Sequence, residues 1–169
     1  MANNVKKEPW NSSDDAAKKL QITDFGTINH VKIMARMERK SETYAQARNI
    51  LSSLVGCPLT SRSGLQAAIS KNTVEKILSS KSVDDSHDFK AHLLAAGNLD
   101  KLYTNAIEPW SFQMNPGKNN DSLISVHRLF APMEYKERIV VVKITVKEMK
   151  NPKDGNRIYA IKSLNVFLK

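Results

Sequence analysis

Four histidines at positions 30, 87, 92 and 127, one cysteine, Cys57, and a C-terminal set of Lys, Arg, Thr and Tyr are the side chains with chemistry to offer. The histidines lack metal-ligand spacings, one cysteine builds no zinc ribbon, and no paired carboxylates stand in a frame suited to acid–base work. The glycines stand singly, so neither a P-loop nor a dinucleotide motif is present, and no cofactor is expected. What remains is metal-independent chemistry on phosphate esters. In RNA cleavage a base removes the 2′-hydroxyl proton, cations stabilise the pentavalent phosphorane, and an acid protonates the leaving 5′-oxygen. Cys57 precedes Pro58 and Leu59 in what reads as a buried strand start, a poor place for a nucleophile.

The elements that must position these groups are clearest at the C-terminal end. In Arg138 to Glu148 the even positions Val140, Val142, Ile144 and Val146 form a β-branched stripe at period two, while Lys143, Thr145 and Lys147 share the opposite face. The loop Asn151 to Asn156, with Pro152 and Asp154-Gly155, suits an antiparallel hairpin into a strand from Asn156 to Phe167. That hairpin places Tyr159 beside Lys143 or Thr145. A first strand spans Ser122 to Met133; there His127 and Arg128 are neighbours and point to opposite faces, and the pattern alone does not decide which face is buried.

Upstream the period is helical. A short helix is expected over Asp15 to Gln21, capped by Ser12-Ser13-Asp14-Asp15; residues 24–40 are ambiguous; and Ser41-Glu42-Thr43 opens a helix ending at Leu54 and closed by Gly56. Ser70 caps a helix with Val74, Ile77 and Leu78, in which Lys76 lies near the C-terminal end, followed by Ser79-Ser80-Lys81. One further helix is predicted from near Asp85-Ser86 through Ala106, with His92 bordering its buried face, stopped by Pro109. Residues 110–121 read as a polar loop.

The net charge of +9 is unevenly distributed. Residues 127–169 hold ten Lys and Arg against four Asp and Glu, whereas residues 44–126 hold eight against seven. A positive field focused on the strands favours phosphate-bearing partners, RNA or DNA first. No apolar run approaches the roughly 20 residues of a membrane span, and no apolar core follows Lys6 and Lys7 as a signal peptide requires, so a cytoplasmic, membrane-free location is expected. The lone cysteine fits a reducing compartment.

The order Ile69-Ser70, Lys76-Ile77, His92, Leu99 and Ala106, then His127-Arg128-Leu129-Phe130-Ala131-Pro132, Val142 to Glu148 and Ile158-Tyr159, resembles a group of domains from large phage and mobile-element polyproteins. These are the large polyvalent protein-associated and phage-type domains of the barnase, EndoU, colicin and RelE-like nuclease superfamily. The resemblance covers residues 60–169, leaving 1–59 as an N-terminal helical extension. It implies an α+β fold, with N-terminal helices packed on a C-terminal antiparallel sheet of about four strands. It also implies a toxin-like ribonuclease that cleaves through the 2′-hydroxyl without metal. Carried onto this chain, Lys76, His92, Arg128, Thr145 and Tyr159 are the implied catalytic set: His92 as base or acid, Lys76 and Arg128 on the phosphate, Thr145 and Tyr159 positioning it. Lys81, His127, Lys143 and Lys147 are the substrate contacts. A toxin of this kind calls for an acidic immunity or inhibitor protein, and it can reach a target cell within a larger protein.

Each of these residues also has a plain role open to it. Lys76 suits a helix C-terminus, His92 a satisfied half-buried site, Lys143 and Thr145 an outward strand face, and Tyr159 a cross-strand pair. The alternative to the nuclease is therefore a non-catalytic accessory domain of the same fold that binds nucleic acid or a protein partner.

Overall fold

The computed structural model describes residues 19–86, 88–109, 123–151 and 153–167. His87, most of the helix expected over Asp15–Gln21, and the loop over 110–121 lie outside them. Three long strands dominate: β3 (Leu123–Tyr135), β4 (Arg138–Lys150) and β5 (Arg157–Phe167), paired antiparallel in that order. A two-residue pair, β1 (Leu59–Thr60) and β2 (Gln66–Ala67), forms a separate small sheet. Among the described residues the main sheet therefore has three strands rather than the four implied. Isolated bridges touch its outer edges: Ala68 pairs with Ala160 beside β5, and Ile107 with Phe130 beside β3.

The period-two stripe of β4 fixes the layers. Val140, Val142, Ile144 and Val146 join Leu129, Ala131 and Met133 of β3 and Ile161, Leu164 and Val166 of β5 on one buried face. Helices cover that face: α2 (Tyr44–Leu54), α3 (Lys71–Ile77), α4 (Ser80–Asp85), α5 (Phe89–Ala96) and α6 (Leu99–Asn105), with Leu51, Ile77, Leu93, Leu99 and Leu102 in the same core. Because Ala47 and Leu51 of α2 belong to this core, no break in packing marks the expected boundary between residues 59 and 60.

Local capping starts these helices. Thr43 and Gln46 form a capping box for α2, Ser70 and Thr73 one for α3, and the Ser79 and Asp88 side chains accept backbone hydrogen bonds from α4 and α5. The single helix expected from Asp85 to Ala106 is instead broken between α5 and α6 at Gly97 and Asn98. Asn98 turns its side chain to the Arg39 backbone, donating to the Arg39 carbonyl at 3.0 Å and accepting from its N–H at 3.1 Å. Cys57, expected at a buried strand start, is exposed.

The second face of the sheet is divided. At one end Phe130, Val141 and Phe167 are covered by a 3-10 turn (Ile22–Phe25) and α1 (Ile28–Met34), which bury Leu20, Phe25, Val31 and Met34 against them. At the other end this face carries Arg128, Thr145 and Lys147, with Lys143 at the boundary opposite Phe130, none of the four in the apolar clusters.

Candidate functional site

The open end of the second face meets α3 and α4 at the β5 edge, and a cleft of about 230 Å³ forms there. The helices supply Lys76, Ser79, Lys81, Ser82 and Asp85; the strands supply Thr145, Lys147, Lys162, Ser163 and Asn165. Two contacts anchor the helices along the strand: Thr73 Oγ donates to the Ile161 carbonyl at 2.9 Å and Ser82 Oγ to the Leu164 carbonyl at 3.5 Å.

Lys162 owes its place to a bulge. Val146 pairs with Ile161 and Thr145 with Ser163, so Lys162 is the extra residue. A bulge re-aims the side chain it carries and switches the parity of the strand, which keeps both Ile161 and Leu164 in the core. Burial, and then the neighbouring charges of Lys76 and Lys147, push the Lys162 pKa below the usual lysine value. Among the described residues no salt bridge involves Lys76, Lys81, Lys147 or Lys162, so the cleft presents its charge outward.

Of the expected site residues, Lys76, Lys81, Thr145 and Lys147 are thus brought together. Arg128 lies on the same face, in register with Thr145. Lys143 is on that face too, with its Nζ 5.6 Å from the centre of the Phe167 ring.

Tyr159 and His127 are elsewhere. The hairpin register sets Tyr159 opposite Glu148, not beside Lys143 or Thr145, and so on the helix-facing side. There His127 Nδ1 lies 2.7 Å from Glu108 Oε2, while Nε2 lies 3.1 Å from Ser125 Oγ. Ser125 donates to Glu148 Oε1 at 2.7 Å, and the Tyr159 hydroxyl donates to Glu148 Oε2 at 3.1 Å. The hydrogen bond to Glu108 raises the His127 pKa against the cost of burial, and Glu148 adds to the rise. The cluster is an imidazole between two carboxylates, about a fifth exposed at His127 and Glu108 and nearly closed at Glu148, whose side chain is 7% exposed. An imidazole held this way is placed to share a proton with a carboxylate.

His92 belongs to neither group. It is wholly buried, its Nε2 2.6 Å from the Ile77 carbonyl and its Nδ1 2.7 Å from Ser86 Oγ, which accepts the Val166 N–H. The neutral tautomer with hydrogen on Nε2 satisfies every partner in that chain, and burial lowers the pKa. The base or acid role expected of His92 therefore falls on a side chain set apart from both the lysine cleft and the His127 cluster.

Residue patterns missed several participants. Lys162 was signalled by the three-residue spacing of Ile161 and Leu164 inside a strand, the mark of a bulge. Glu108 and Glu148 are forty residues apart in the chain and no spacing pairs them. Among the described residues no group of His, Cys, Asp and Glu is arranged to hold a metal ion, and no helix is long and apolar enough to cross a membrane.

Helices on one face of an antiparallel sheet, with a lysine-lined cleft at the edge of the other, define an α+β protein with a basic cleft. The family model for large polyvalent protein-associated domain 3 matches residues 37–159, and the chain belongs to that family. The match starts upstream of α2, within the stretch assigned to the N-terminal extension. No curated protein and no solved structure matches the chain.

Proposed function

We propose that the chain is an RNA-directed domain that holds the sugar–phosphate backbone in the lysine cleft. The supporting observation is the convergence of Lys76, Lys81, Lys147 and Lys162 on one opening, with Asp85 the one carboxylate among its lining residues. Gathering like charges costs energy that a bound polyanion returns by releasing its counterions. Thr145 and Ser163 add hydroxyls, which read phosphate without reading base, whereas the Ser79 and Ser82 hydroxyls already donate to the Lys76 and Leu164 carbonyls. A protein partner competing for this cleft, such as an immunity or inhibitor protein, would present an acidic surface.

Metal-independent cleavage, as in the barnase, EndoU and RelE-like superfamily, is the second reading, favoured by the cluster of His127, Glu108, Glu148 and Tyr159. A protonated imidazole and a carboxylate are an acid and a base within one hydrogen-bonded set. It ranks second because the lysines that would stabilise a phosphorane line the opposite face of the sheet.

The test is binding and cleavage of labelled total RNA, with EDTA present, by the wild-type chain and by Lys147→Glu/Lys162→Glu, His127→Gln and Tyr159→Phe, with folding checked by circular dichroism. The binding reading expects the double lysine variant to lose affinity by about 100-fold or more at low salt, since each charge reversal removes a phosphate contact and sets a repelling charge in its place. Unchanged affinity in that variant overturns it. EDTA-resistant cleavage lost in folded His127→Gln and Tyr159→Phe establishes the second reading.

A further inference from the structure

We propose that Lys162 is the reactive amine of the cleft and a site of acylation by acyl phosphates, and that its acylation weakens RNA binding. The inference rests on the reading of the cleft as a phosphate site and adds a covalent control to it.

Three features converge on this side chain. The bulge between the pairs Val146–Ile161 and Thr145–Ser163 turns Lys162 into the cleft instead of leaving it in an ordinary strand position. There Lys76 and Lys147 repel its ammonium form, and partial burial withdraws water from it. Each effect enlarges the uncharged, nucleophilic fraction near neutral pH. Finally, the cations that disfavour an ammonium at Lys162 favour a phosphate beside it, together with the hydroxyls of Thr145 and Ser163. Asp85 is the one opposing charge among the lining groups of the cleft and Lys81 stands with the cations, while Glu75, paired with Arg48, lines the adjoining hollow with Lys76 and Lys162.

An acyl phosphate carries the two properties this arrangement selects, a phosphate handle and an electrophilic carbonyl. The neutral Lys162 amine attacks the acyl carbon. The nitrogen–carbon bond forms, the bond from that carbon to the phosphate oxygen breaks with its electron pair staying on the phosphate, and the amine proton passes through water to that oxygen, so phosphate leaves as the hydrogen phosphate dianion. The departing phosphate dianion is stabilised by Lys76 and Lys147, so the groups that recruit the donor also assist its departure. The product amide has lost its charge and fills part of the cleft, so one phosphate contact is removed.

The full chain is incubated with acetyl phosphate and the modified lysines are mapped by peptide mass spectrometry over time, with and without inorganic phosphate or single-stranded RNA. Lys162 is expected to react about tenfold faster at neutral pH than the exposed Lys71, Lys90 and Lys150, as a desolvated amine beside cations does. The advantage narrows at alkaline pH, where every amine becomes neutral. Inorganic phosphate slows the reaction at Lys162 alone, and Lys76→Ala slows it as well. Equal rates at Lys162 and the exposed lysines overturn the inference; if RNA still binds, the reading of the cleft as an RNA site stands. Preferential, phosphate-protected reaction at Lys162 in a chain that binds no RNA sustains the acylation site and overturns the RNA reading instead.

Discussion

Two histidines of this chain respond to acid in opposite directions, and their partners explain why. His127 gains carboxylate neighbours on folding, so its pKa is raised above the ordinary value of 6.5. Its contribution to stability is fully present below that value and is lost as pH climbs through the raised one. His92 is buried between the Ile77 carbonyl and the Ser86 hydroxyl, and its pKa is lowered. Its contribution is present above 6.5 and fades as pH falls towards the lowered value. The wild-type curve contains both slopes. Urea unfolding of wild type and His127→Gln from pH 5.5 to 9 separates them: the variant is expected to be less stable by about 1.5–3 kcal/mol at the acid end, the range of a hydrogen bond to a charged group, with the gap closing towards the alkaline end. A gap independent of pH would mean that the imidazole acts by shape alone. Neither behaviour is legible from the sequence, where His92 bordered an apolar stripe and His127 stood on a strand of undecided orientation; each histidine's partners come from other elements of the fold.

At the scale of the elements, the break between α5 and α6 is a matter of close approach. A β-carbon at Gly97 would stand 2.3 Å from both Cβ and Oγ of Ser41, closer than side chains pack, although the Gly97 backbone has ordinary helical angles. Gly56 is the reverse case, with φ at +78° and nothing within 4 Å of its missing β-carbon. Gly97→Ala is therefore expected to cost more than about 2 kcal/mol, through overpacking that displaces the Ser41 segment. Gly56→Ala costs about 1 kcal/mol, from the left-handed backbone alone. Denaturant midpoints rank the two; a milder Gly97→Ala would show that the Ser41 segment shifts freely. The apolar run Phe89, Leu93, Leu99, Leu102 hid this break because the stripe continues across it. The three long strands and the start of α2 and α3 were legible to within one or two residues, because alternation and Ser/Thr caps are local. The β5 bulge left only the spacing of Ile161 and Leu164 as its mark, and the aim of Lys162 follows from pairing with β4, which no local pattern encodes.

For the molecule as a whole, the concentration of basic residues in the C-terminal third was evident from the sequence, but where that charge collects depends on the fold. The 3-10 turn and α1 occupy one end of the second sheet face through Phe25, Val31 and Met34, and among the described residues the end that carries Thr145 and Lys147 is the one that holds the cleft. The α3 and α4 helices then raise Lys76 and Lys81 beside it, joining lysines more than sixty residues apart in the chain. If these four lysines are the RNA contacts, salt will report their number. Each neutralised phosphate on a single strand contributes about −0.7 to the slope of log affinity against log salt concentration, so the wild-type slope is expected near about −3. Removing one lysine, as in Lys81→Ala, should flatten it by about 0.7, whereas Lys90→Ala, an exposed substitution outside the cleft, should leave it unchanged. Fluorescence anisotropy with labelled single-stranded RNA over a salt series measures both. A slope that Lys90→Ala flattens as much as Lys81→Ala would assign binding to the diffuse positive field of the whole surface and remove the cleft from the account.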